Sequence, residues 1–160
     1  MNLTAIRCIY TYMNANAEFA ECLACSCFAA RRTARTITQH YEVHLKPTGL
    51  TVTQFTLLAM LSLTGPQPLS RFAGLLGLER TTLTRNLRQL RARGWVTESA
   101  TGDRRVRLLK ITKRGATAAR GALPHWREAQ KSIALRLGTD AIRALAATSK
   151  AAAESGPDRS

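Results

Sequence analysis

The chain has 160 residues, with 24 Lys and Arg against 10 Asp and Glu, a formal net charge of +14 and a pI near 11.0. Such a balance points to a polyanionic partner, nucleic acid before membrane. No apolar run approaches the roughly 18 residues of a membrane span, and the start MNLTAIRCIYTYMNANAEF lacks a signal-peptide core and cleavage site, so a cytoplasmic protein with reduced thiols is expected.

Residues 1–17 read as a poorly ordered extension. From Glu18 to Lys46 the residues Phe19, Leu23, Cys27, Ala30, Ala34, Ile37, Tyr41 and Leu45 recur every three or four positions. That spacing predicts one long helix, ended by Pro47 and Gly49. Its narrow apolar stripe suits a second long helix, either within the chain or, better, from another copy, and residues 18–50 are assigned to dimerisation. The low aromatic content (6%) gives a thin core that dimerisation would supplement. Thr51 or Thr53 is placed to cap the next helix, which carries Phe55, Leu57, Leu58, Met60 and Leu61 to Gly65-Pro66.

A short helix is expected from Ser70 to Leu76, with Phe72, Ala73 and Leu76 inward, and Gly77 breaks it. Another begins at Glu79 or Arg80 and reaches Arg93, with Leu83, Leu87 and Leu90 inside and Gly94 as its stop. Trp95–Thr97 and Val106–Ile111 read as strands around a turn at Ala100–Asp103. Lys113–Leu137 reads as a helix kinked or broken at Pro124. A last Ala-rich helix covers Ala141 to about Ala153. Residues 116–153 are assigned to dimerisation and 154–160 to a disordered tail.

Two short helices joined at a glycine and followed by a basic hairpin make a helix-turn-helix with a wing, here within residues 51–115. The segment Glu79–Arg114 holds 11 of the 24 Lys and Arg and only three acids, Glu79, Glu98 and Asp103. The second helix should expose Arg80, Thr81, Thr82, Thr84, Arg85, Arg88 and Gln89. Thr81, Thr82 and Arg85, near its start, are placed for base edges in a major groove. Arg88, Arg91 and Arg93 suit phosphates or plain surface charge. At the turn, Arg104 and Arg105 are placed for a minor groove, with Asp103 holding the loop or orienting a guanidinium.

The segments GLTVTQFTLLAMLS (Gly49–Ser62), LERTTLTRNLRQLRARGWV (Leu78–Val96) and GDRRVRLLKITKRG (Gly102–Gly115) resemble those of the MarR family of regulators, over about Cys22 to Ala153. The resemblance implies a mainly α fold with a small β-wing. It implies a winged helix-turn-helix homodimer, intertwined through its N- and C-terminal helices, that binds a pseudo-palindromic double-stranded DNA operator and usually represses. It places Thr81, Thr82, Thr84, Arg85 and Arg88 on the recognition helix. It also makes Asp103-Arg104-Arg105 the family's Asp-x-Arg wing element, with Arg105 in the minor groove.

Cys22, Cys25 and Cys27 form C-L-A-C-S-C early in the first long helix, with Arg31 and Arg32 a turn or so beyond. Such thiols suit an oxidant-sensing switch. The alternatives are apolar packing at a dimer interface and metal binding, for which four ligands are lacking within one chain. A small-molecule effector crevice between the dimerisation helices and the DNA-binding lobe, as the resemblance implies, would draw on His40, Tyr41, His44, Phe55 and Trp126. No Ser-His-Asp set, paired carboxylates or phosphate-cradling glycine loop is present, so no catalysis, cofactor or metal is expected, and no membrane partner. Two other readings compete with the regulator: a constitutive DNA binder, and a thiolate metal-binding or redox protein whose DNA contact is incidental.

Overall fold

The computed structural model describes residues 17–100 and 107–155 and is mainly helical with one small sheet. The chain divides into two units, one ending at Gln39 and the other beginning at His40. In the first, residues Ala17–Ala24 form a 3-10 helix, followed by helix α1, Ser26–Leu45, whose last turns belong to the second unit. The single helix expected from Glu18 is therefore interrupted. The Cys25 N–H donates to Cys22 O at 3.2 Å, an i−3 bond, whereas Ala29 N–H donates to Cys25 O at 3.0 Å and starts the α pattern. Apolar residues three or four apart fit either winding, so the sequence pattern does not separate them. Phe19, Leu23 and Phe28 are exposed.

In the second unit, α1 ends at the fully buried Leu45, and a 3-10 turn at Lys46–Thr48 closes on Gly49, whose φ of +68° is left-handed. Helix α2, Val52–Thr64, opens with a capping box. Thr51 Oγ1 accepts from Gln54 N–H, and Gln54 Oε1 accepts from Thr51 N–H, both at 3.2 Å. The buried Gln54 also donates through Nε2 to Gln89 Oε1 at 2.9 Å, so its amide is satisfied on both sides. Phe55, Leu57, Leu58 and Leu61 are buried, while Met60 is only partly so.

The sheet has three antiparallel strands in the order β1-β3-β2: Gln67–Pro68, Arg107–Ile111 and Val96–Ala100. The first was not expected, since two residues carry no alternation. Pro68 is tolerated because the strand lies at the sheet edge, where its missing N–H breaks no ladder. Val96 pairs with Ile111 and Glu98 with Leu109. The expected turn at Ala100–Asp103 falls almost wholly outside the described residues.

Helices α3 (Leu69–Leu75) and α4 (Arg80–Ala92) bury Phe72, Leu83, Leu87 and Leu90 completely, against Leu57, Leu58, Leu61 and Leu109 in one core. Helix α5 runs unbroken from Lys113 to Leu137 through Pro124. Of the kink or break expected there, the break does not occur: the fully buried Ala122 and Ala129 hold the helix on both sides against the lost hydrogen bond and the crowding by the ring. Helix α6, Thr139–Glu154, follows Gly138 (φ +83°) and buries none of its side chains.

Candidate nucleic-acid interface

Helix α3 and helix α4 meet at a tight turn. Leu78 N–H donates to Ala73 O at 3.0 Å and Gly77 N–H to Gly74 O at 3.1 Å. Gly77 takes φ +61°, a left-handed conformation that favours glycine. With Leu83, Leu87 and Leu90 locking one face of α4 to the core, the opposite face must be exposed. Thr81, Thr82, Thr84, Arg85 and Arg88 all lie there, exposed.

Thr81, Thr84, Arg85 and Arg88 line one open groove of about 770 Å³, together with Leu69, Arg80 and Arg91. Thr82 is exposed on α4 but does not line it. Arg80, expected to be exposed but assigned no contact, is brought by the groove beside Arg85 and Arg88. Its signal was the i, i+4 spacing with Thr84 and then Arg88, which puts all three on one face. The Thr84 hydroxyl donates back to Arg80 O at 2.7 Å, which leaves its oxygen free only to accept.

The four groove guanidiniums are not equivalent. Arg80, Arg85 and Arg88 have no ion pair or side-chain hydrogen bond to another described residue. Arg91 is ion-paired to Glu98 on β2, whose other oxygen faces Arg107 of β3 at 3.5 Å. Arg93, expected at phosphates or free on the surface, instead donates to Gly49 O at 2.9 Å and lies 4.7 Å over the Trp95 ring. Asp103, Arg104 and Arg105 lie outside the described residues.

Behind the interface, Thr112 pins the wing strands to α5. Its hydroxyl donates to Gly94 O at 2.8 Å, and its oxygen accepts from Gly115 N–H at 3.0 Å. A Cβ on Gly115 would sit 2.2 Å from Trp95 O, so the chain needs glycine there.

The effector candidates fall into two groups. His40 Nε2–H donates to Ala129 O at 3.2 Å, and Tyr41 OH donates to Gln130 Oε1 at 2.5 Å, both onto α5. His44 Nδ1–H donates to His40 O at 2.9 Å, with the two rings 4.6 Å apart. Burial pushes the Tyr41 phenol above its ordinary pKa. Phe55 is buried and stacks on Trp126, centroids 6.1 Å apart, as part of the core. Cys22, Cys25 and Cys27 are free and exposed. Among the described residues no three His, Cys, Asp or Glu side chains converge as a metal site, and no helix is long and apolar enough to cross a membrane.

A helix-turn-helix whose second helix is basic and exposed, backed by a three-stranded sheet that forms the base of a wing, defines a winged-helix protein. Residues 50–106 match the model of the MarR family. The chain is 39% identical to the transcriptional regulator MosR of M. tuberculosis, in a crystal structure of its complex with DNA. That alignment covers 80% of this chain and 96% of MosR, with a TM-score of 0.72. The reduced form of AbfR, in a structure bound to DNA, is 28% identical over 69% of this chain and 82% of its own, with a TM-score of 0.61. An uncharacterised HTH-type transcriptional regulator of Bacillus subtilis (strain 168), YwoH, is 32% identical over 82 residues. The match spans 51% of this chain and 60% of that relative's length. The chain belongs to the MarR family of transcriptional regulators.

Proposed function

We propose that the protein acts as a homodimer, binds a pseudo-palindromic operator in double-stranded DNA with sequence specificity, and represses transcription. One observation carries this reading: the exposed face of α4 places Thr81, Arg85 and Arg88 in one groove with Arg80, while its opposite face is locked to the core. An α-helix fits the major groove of B-DNA, and arginine pairs bidentately with guanine. Thr81, Thr82 and Arg85 are assigned to base edges, Thr84 to an acceptor role beside them, and Arg88 to phosphate. Asp103, Arg104 and Arg105 are assigned to the wing tip, with Arg105 in the minor groove. The DNA complex of MosR supports the same partner. The exposed Leu135, Leu137 and Leu145 of α5 and α6 favour a second copy as their cover.

The test is selection of duplexes from a random pool by the purified protein under reducing conditions, followed by a salt titration. A single enriched palindrome is expected, with a log–log slope near −7 if each half engages about four phosphates. Affinity independent of sequence would end the operator reading.

A second, compatible reading concerns the signal. Cys22, Cys25 and Cys27 are exposed thiols within six residues, and the DNA-bound AbfR structure is of its reduced form. We assign these cysteines to oxidant sensing, with the small-molecule crevice near His40, Tyr41, His44 and Trp126 as the competing input.

A further inference from the structure

We propose that Glu98 sets the specificity of the DNA face. It holds Arg91 and Arg107 on its two carboxylate oxygens, away from indiscriminate phosphate binding, and ties the wing strands to the recognition helix. The inference rests on the operator reading and refines it.

Three elements meet at this carboxylate. Arg91 comes from the last turn of α4, Glu98 from β2 and Arg107 from β3. Glu98 pairs across the ladder with Leu109, so Arg107 is its diagonal neighbour on the same face of the sheet. Oε1 takes Arg91 Nη2, and Oε2 faces Arg107 Nη1 at 3.5 Å. The Arg91 and Glu98 side chains are only 35% and 24% exposed, while Arg107 is 73% exposed. Arg91 Nε is buried without an acceptor, so its guanidinium is partly desolvated and leans on the carboxylate.

Arg91 also lines the groove that holds Arg80, Arg85 and Arg88, and among the described residues it alone of these four has an anionic partner. Removing the charge of Glu98 leaves two guanidiniums facing one another across a neutral amide. They separate, and the outward course for each leads to solvent or to phosphate. An arginine freed this way binds any backbone regardless of sequence and adds about 0.9 to the salt slope. The wing meanwhile loses its tie to α4, so contacts that depend on the register of helix and wing slacken. Discrimination falls from both sides.

The test compares the full-length protein with its Glu98→Gln variant on two duplexes, the one selected by the wild type and a scrambled duplex of the same composition. Each is titrated with salt, and thermal melting checks the fold. For Glu98→Gln, the scrambled duplex should bind several-fold tighter with a slope steeper by about one to two. The selected duplex should gain nothing, so the ratio of the two affinities drops at least by that same several-fold factor. Adding Arg91→Gln to Glu98→Gln should bring the slope back toward the wild-type value. Equal weakening on both duplexes with an unchanged slope would mark Glu98 as merely structural and overturn the proposal, as would no change at all. Arg107→Gln tests it without touching the half-buried Arg91–Glu98 pair. Its slope on scrambled DNA should match the wild type, and a slope shallower by about one would mean that Arg107 already serves phosphate and that Glu98 does not restrain it. A wild type with no preference between duplexes would instead remove the operator reading itself, and this role with it.

Discussion

Gly115 and Tyr41 show how single residues fix the fold around helix α5. The carbonyl of Trp95 accepts from Thr112 N–H at 3.0 Å and crowds Gly115. It is backbone, and it cannot swing aside for a new methyl. Gly115→Ala should therefore lower stability by roughly 1–3 kcal/mol, measured by denaturant unfolding. An unchanged midpoint would mean that the strand and α5 separate at little cost. Tyr41 donates to Gln130, a bond worth about 1 kcal/mol. Its raised pKa comes from burial, so the folded state keeps the phenol proton where the unfolded chain has begun to lose it. The stability this group contributes is complete below its ordinary value of 10.0 and is lost as pH rises through the folded value. Tyr41→Phe should be less stable at neutral pH and should lose less on alkaline titration. Parallel pH profiles for the two proteins would contradict this.

At the level of elements, helix α4 was legible because its three leucines at 83, 87 and 90 recur at helical spacing between an αL glycine at 77 and another at 94. The same pattern exposes Arg85 and Arg88, which carry different expectations. Arg88→Ala should weaken selected and scrambled duplexes alike and reduce the salt slope by about one. Arg85→Ala should cost about 1–3 kcal/mol on the selected duplex and relax preference at one base position. Equal losses on both duplexes for both variants would assign both arginines to phosphate. Charge alone did not separate Arg91 and Arg93 from these two. All four are arginines of one helix and its C-cap, and only the nearness of Glu98, Gly49 and Trp95 gives two of them partners within the protein.

Over the whole molecule, the apolar surface left uncovered by one chain sets the expected assembly. Phe19, Leu23 and Phe28 near the N-terminus and Leu135, Leu137 and Leu145 near the C-terminus are exposed. Sedimentation at micromolar concentration should give the mass of two copies. A monomer that still binds a palindrome with full affinity would contradict the dimeric reading. Diamide or peroxide should lower operator affinity, and the triple Cys22→Ser, Cys25→Ser, Cys27→Ser variant should be indifferent to either reagent. Wild-type affinity unmoved by oxidant and reductant would end the redox assignment.

Periodicity, glycines and caps in the sequence determined the helices, the helix-turn-helix and the family, because these follow from contacts within a few residues along the chain. The tertiary structure decided what depends on distant residues meeting. A two-residue edge strand at Gln67–Pro68 exists only because β3 lies beside it. Phe55 belongs to the core because it stacks on Trp126, 71 positions further along the chain. The break at Cys25 came from a choice between two windings that share one apolar spacing. The distinction between Arg85 or Arg88, without an ion pair among the described residues, and the arginines held by Glu98 rests on the packing of α4 beside β2 and on strand register, neither of which is written in the local pattern.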